Sequence, residues 1–193
     1  MTIRETSVYK KWFARLRDTV AKARILVWLR RASIGNYGET RDLGDGVLEF
    51  KFRFGPGCRI YFTERNGELI ILLAGGDKST QSSDIANAKE LARNLRGEDM
   101  KTKTTAWNVA DHLKTKESRE AYLNAAFEDG DASVIAAALG DIAKAEGMSK
   151  VAKRTGLGRE SLYKALSPDG NPALSTILKV VRAFELNLRV ACL

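Results

Sequence analysis

The chain has 193 residues, 44% of them apolar and 29% charged, and a net charge of +8. This excludes wholesale disorder, collagen-like repeats and coiled-coil fibres, and the length allows one domain or two small ones. No apolar run exceeds about six residues, where a membrane span needs about 20, and the first 20 residues carry five cations and no apolar core, so neither a spanning segment nor a secretory signal is expected.

Residues that carry covalent or metal chemistry are scarce. Cys58 and Cys192 lie far apart and in no CxxC pair, which reads as two reduced thiols of a cytoplasmic protein. His112 is the single histidine; it leaves no zinc ligand set and no recognisable Ser-His-Asp arrangement. No metal and no cofactor are expected.

In chain order, Ser7 reads as an N-cap followed by Val8, Trp12, Phe13 and Leu16 at helical spacing. A second helix carries Val20, Ile25, Leu26, Trp28 and Leu29, with Lys22, Arg24, Arg30 and Arg31 around its other sides, and Gly35 and Gly38 end the pattern. Residues 47–54 then alternate: Leu48, Phe50, Phe52 and Phe54 against Glu49, Lys51 and Arg53, the pattern of a strand with one buried face. Gly55-Pro56-Gly57 is a turn, residues 58–63 return as a strand, and Asn66-Gly67 signals a hairpin into an apolar central strand at 69–74. Ile85, Ala88, Leu91, Ala92 and Leu95 form a closing helical stripe up to Gly97. The order predicts a small α+β domain over residues 1–99.

The character changes near residue 99. Five of the seven phenylalanines lie before it; after it the chain is alanine-rich and helical throughout. The junction is polar, and Met100 with its Lys- and Thr-rich sequel resembles the start of a second reading frame, so residues 100–193 read as a second protein joined to the first; one domain with a chance internal Met is the alternative. Residues 148–155, the turn Gly156-Leu157-Gly158 and residues 159–166 form a helix-turn-helix signature, in which Val151, Ala152, Leu157, Leu162 and Leu166 can pack together. Leu174, Ile177, Leu178, Val181 and Phe184 line a closing helix. The second half is therefore expected to be all-α.

Two constellations follow. Lys51 and Arg53 share a face of one strand, Arg59 and Tyr61 a face of the next, and Lys78 lies just beyond the third, with no compensating acid cluster evident. Such a cluster suits a phosphate backbone or charge developing on a phosphate during strand cleavage; a solvated strand face is the alternative. On the second half, Arg159, Ser161, Tyr163 and Lys164 mark a recognition helix, with Ser149 and Lys150 (and Arg154) positioned for phosphates; a protein-interaction scaffold is the alternative.

Two runs carry a resemblance. Gly55-Pro56-Gly57-Cys58-Arg59-Ile60-Tyr61-Phe62 and residues 72–81, with Asp84, Ile85 and Ala88, resemble the HigB-like branch of the RelE/ParE toxin superfamily over nearly all of residues 1–99. Residues 148–184 resemble HigA-like addiction-module antidotes with a helix-turn-helix. The resemblance implies a type II toxin–antitoxin pair: a RelE-like α+β toxin, then an all-α antitoxin. It implies metal-independent, ribosome-dependent mRNA cleavage in which the 2′-OH attacks the adjacent phosphate. Arg59 and Tyr61 match the family's Arg-x-Tyr strand, Lys51 and Arg53 its basic strand, and Lys78 its trailing cation. The family's tyrosine near the toxin C-terminus is replaced by Ser and Thr, which leaves Lys51, Tyr61 or Glu49 as general base. ParE-like members act on DNA gyrase instead, and a non-enzymatic DNA-binding regulator is the other reading. The implied partners are mRNA and the ribosome, operator DNA, the toxin–antitoxin contact itself and a second copy through the antitoxin half. Silencing is by covering the site or by holding the toxin from the ribosome.

Overall fold

A computed structural model describes residues 1–36, 38–52, 57–65, 69–96 and 102–189. The chain is mixed α and β, with one six-stranded sheet and eight α-helices among the described residues. It divides into two compact units: residues 1–22 with 31–108, and residues 23–30 with 109 onward.

The first unit is built on the sheet, in strand order β2-β3-β4-β5-β1-β6. Its strands are β1 (Thr2–Thr6), β2 (Arg41–Asp42), β3 (Leu48–Lys51), β4 (Arg59–Arg65), β5 (Leu69–Gly76) and β6 (Thr104–Ala106). Four neighbouring pairs are antiparallel, but β1 and β5 run parallel. The sequence reading opened with helices and an antiparallel meander, so β1, β2 and β6 are additions. β1 contains a single large apolar residue, Ile3, too few for a period-two signal; it exists because strands pair with it on both sides.

Helices α1 (Ser7–Arg15), α2 (Thr19–Ser33) and α3 (Gln81–Arg96) accompany the sheet. The cap of α1 is Thr6, whose side chain accepts from the Tyr9 amide; Ser7 is already helical. Asp18 caps α2 by accepting from the Val20 and Ala21 amides. On one sheet face α3 sets Ala88, Ala92 and Leu95 on Tyr61, Ile71 and Leu73. On the other, Gly75 leaves room for the Trp12 ring of α1, which a Cβ would meet at 2.2 Å. Cover on both faces explains why the central strand β5 is apolar throughout.

That cover corrects the sequence reading of the strand at 47–54. Leu48 and Phe50 are half-buried, while Glu49 on the supposed solvent face is 4% exposed. Arg53, Phe54, the Gly55-Pro56 turn, Asn66-Gly67, Met100 and Cys192 lie outside the described residues.

The second unit is helical: α4 (Lys116–Asp129), α5 (Ala132–Glu146), α6 (Met148–Thr155), α7 (Arg159–Ala165) and α8 (Leu174–Ala183), after a 3-10 turn at Val109–His112. Thr115 and Ser118 form a capping box on α4, Gly130 ends it at φ +80°, and Asp131 caps α5. Helix α5 is central. From Ala136 to Ala143 every residue is buried, and the small side chains allow neighbours close in. The tightest approach is at Gly140, where a Cβ would stand 2.2 Å from the Leu166 carbonyl oxygen.

Helices α6 and α7 occupy the spans read from the sequence, joined through Gly156 at φ +68°. Val151, Leu162 and Leu166 are buried; Ala152 and Leu157 are half-buried. On α8, Val181 is buried, as is Phe184 just after it, but Leu174 and Leu178 are exposed and do not line the core as expected.

Gly140→Ala should destabilise the second unit by about 1–3 kcal/mol, because the obstacle is backbone and cannot rotate away. A thermal melt of the variant should show a lowered Tm; an unchanged Tm would refute this reading of the α5 contact.

Candidate functional site

The first unit holds an open cavity of about 590 Å³ at the β2–β3–β4 end of its sheet. It is lined by Glu39, Thr40, Arg41, Glu49, Phe50, Lys51, Phe52, Arg59 and Gln81. Strand register builds it: Lys51 sits opposite Arg59, Glu49 opposite Tyr61, and Arg41 opposite Glu49. The expected meeting of the faces bearing Lys51, Arg59 and Tyr61 therefore occurs.

Its charge differs from the expectation. Arg59 is 5% exposed, and its Nε lies 3.2 Å from Glu49 Oε1. Gln81, the first residue of α3, donates to that same oxygen at 2.9 Å, and Arg59 Nη1 donates to the Gly57 carbonyl at 2.8 Å. Glu49 is thus the compensating acid that alternation placed on a solvated face, and the Arg59 charge is largely spent on it. Lys51 and Arg41 are exposed at the rim. Phe50 and Phe52 meet edge-to-face at 4.7 Å and supply apolar surface beside these cations. A pocket with exposed cations, an aromatic wall and a buried carboxylate can hold a phosphate with an attached ring.

Tyr61 is correctly placed on the strand yet fully buried in the core under α3, and it does not line the cavity. Burial, then the Glu49 and Asp84 carboxylates, hold its hydroxyl well above the usual phenol range. Lys78 is exposed in a turn pinned by Asp77, which accepts from the Ser79 amide at 2.8 Å, and it is outside the cavity lining. Arg53 is outside the described residues. The structure sets Lys51 opposite Arg59 in the cavity lining, keeps Tyr61 on the same strand face but in the core, and leaves Lys78 outside the lining. Gln81, Arg41 and Glu39 were missed; each is an isolated polar residue brought in by chain reversal, with no local pattern to flag it. Cys58 is buried and its thiol is pushed up by that burial, a poor nucleophile. Among the described residues no His, Cys, Asp and Glu group could hold a metal ion, and no helix is long and apolar enough to cross a membrane.

In the second unit, Ser149, Lys150, Arg159, Ser161, Tyr163 and Lys164 are all exposed. The Arg159 guanidinium stands over the Tyr163 ring at 5.6 Å, so the two side chains present a joint surface on α7. Lys150 pairs with Glu146 at 3.1 Å, one turn back. Arg154 donates to the Ala183 carbonyl at 2.8 Å and tethers α6 to the end of α8.

Comparison with known proteins adds a family. Residues 103–192 match the family described as "Probable addiction module antidote protein". Two relatives from Haemophilus influenzae, each described only as an uncharacterized protein, are 42% and 44% identical. Their matches span 93 and 84 residues, 48% and 44% of this chain but 94% and 87% of the relatives. No solved structure matches the chain.

Arg59→Ala should cost about 3–5 kcal/mol by leaving Glu49 buried without a counter-charge, while Arg59→Met with Glu49→Leu should recover most of that loss. Urea unfolding of the three proteins checks it; equal loss in single and double variants would show that the pair is uncoupled.

Proposed function

Residues 103–192 match the addiction module antidote family, and from that premise we propose that the chain is a cytoplasmic toxin–antitoxin protein. In this reading the first unit is a HigB-like, metal-independent mRNA endoribonuclease of the RelE/ParE kind, and the second unit neutralises it and represses its operon as a HigA-like helix-turn-helix protein. An antidote requires a toxin, and the supporting observation for its being the first unit is the cavity with Lys51, Arg41 and Glu49 beside Phe50.

The chemistry follows from those positions. RNA enters with a phosphate between Lys51 and Arg41 and a base against Phe50. Glu49, oriented by Arg59 and Gln81, accepts the 2′-OH proton. The 2′-oxygen attacks phosphorus, the 5′-oxygen leaves with a proton from Lys51, and the products are a 2′,3′-cyclic phosphate and a 5′-hydroxyl end. Removing a general base of this kind lowers rate by about 10²–10⁴. With Tyr61 buried, Glu49 is the strongest of the three candidate bases.

Residues 1–99 induced in a bacterial host should arrest growth and create new mRNA 5′ ends, and residues 100–193 should relieve both. Lys51→Ala is the informative variant, because Lys51 is exposed while Arg59→Ala also unbalances the fold; it should lower cleavage by about 10²-fold or more. Arrest with intact transcripts and damaged DNA would indicate a gyrase target, and harmless expression a regulator without enzymatic activity.

On the DNA side, Arg159, Ser161, Tyr163 and Lys164 face the major groove, Ser149 and Lys150 hold phosphates, and a dimer binds a palindromic operator. Lys164→Ala should weaken binding to the chain's own promoter. If it contacts a phosphate, the slope of log K against log salt should fall by about 0.9; unchanged affinity at all salt concentrations would remove α7 from the DNA.

A further inference from the structure

The antidote match begins at residue 103, yet residues 104–106 form β6, the outer strand of the first unit's sheet. Conversely, residues 23–30, in the middle of α2 and far upstream of the match, belong to the helical second unit. We infer that antidote and partner grip each other by reciprocal exchange: the antidote segment 104–107 adds an edge strand to its partner, and the partner's segment 23–30 plugs the antidote's helical core. The inference rests on the antidote reading of residues 103–192 and deepens it.

The strand arm is made by backbone. β6 pairs antiparallel with β1, Arg4 opposite Ala106, Glu5 opposite Thr105 and Thr6 opposite Thr104. The Trp107 amide donates to the Ile3 carbonyl at 3.1 Å. Arg4 then fixes the register: its Nε donates to Thr104 Oγ1 at 2.7 Å and its Nη2 to the Thr104 carbonyl at 2.6 Å. Without β6, that edge of β1 would present unpaired amides and carbonyls, the usual target of strand addition.

The helical arm is made by apolar burial and one ion pair. Ile25 and Leu29 are fully buried, and Leu26, Val27 and Trp28 are no more than 4% exposed. Arg30 closes the segment as a fork onto Asp141 of α5: Nε donates to Oδ2 at 2.8 Å and Nη2 to Oδ1. Asp141 is 2% exposed and also accepts from the buried Tyr122 hydroxyl at 3.0 Å. With Arg30 withdrawn, that carboxylate would stay buried and uncompensated. The antidote core is therefore specific for an apolar helix that ends on arginine, not merely for an apolar helix. The outer pair Arg24–Glu128, at 3.0 Å, is solvent-exposed and adds little.

The test uses the full chain with a protease-cleavable Gly/Ser linker inserted between residues 99 and 100 and cut after purification. The nicked chain should elute as one complex. Asp141→Asn and Arg4→Ala, each folded before cleavage by circular dichroism, should each raise the dissociation constant of the nicked halves at least tenfold, and the pair of substitutions at least a hundredfold. Asp141→Asn retains an acceptor for Tyr122, and Arg4→Ala lies at a sheet edge, so one folded variant is enough for the comparison. Separation of the nicked parent chain, or unchanged affinity in folded variants, overturns the proposal. The readout is association, so it tests the exchange separately from the ribonuclease reading, which is tested on residues 1–99 alone.

Discussion

A carboxylate shut away from water must be paired, and each unit is organised round one. In the second unit it is Asp141, at the middle of the most buried helix, held by Arg30 and Tyr122. In the first it is Glu49, held by Arg59 and Gln81 in the lining of the 590 Å³ cavity. Arg30 forks onto Asp141 across a long stretch of sequence, and Arg59 meets Glu49 between strands through Nε alone. Neither adds much net stability over apolar packing of the same volume, but each makes the wrong register expensive.

In the proposed reaction a stabilising pair and a chemical group are the same atoms. Glu49 Oε1 accepts from Gln81 and lies 3.2 Å from the Arg59 Nε of its ion pair. A base positioned by such contacts needs no reorganisation when a substrate hydroxyl arrives. Lys51 and Arg41 stay exposed at the cavity, and in that reaction they would meet the phosphate. Division of labour between buried and exposed cations on one strand pair is the main electrostatic feature of the first unit.

Strong periodicity made much of this legible. β3, β4, β5, α3, α6 and α7 were read from alternation, apolar runs and helical stripes, and the register that joins Lys51 to Arg59 follows from two residues sharing a face. What alternation could not reveal was what covered that face. Glu49, Arg59 and Tyr61 look solvated on paper because helix α3, which roofs Tyr61 and supplies Gln81 to Glu49, begins five residues after the sheet ends. β1 and β6 escaped notice for a related reason: with three to five residues and almost no apolar content, their stability comes from partners remote in sequence. The same holds for Arg30, which sat among cations assigned to a helix surface while its acid lay in another part of the chain.

The parallel pairing of β1 with β5 sets an order of events during synthesis. Residues 2–6 are made first but have no partner until residues 69–76 have emerged, and their other edge stays open until residues 104–106 follow. Closing such long loops is slow compared with forming local helices. On a translating ribosome the sheet is thus finished at its far edge by a strand that belongs to the antidote match. In a single polypeptide, the first unit completes its last ladder only once translation has entered the segment that matches the antidote family.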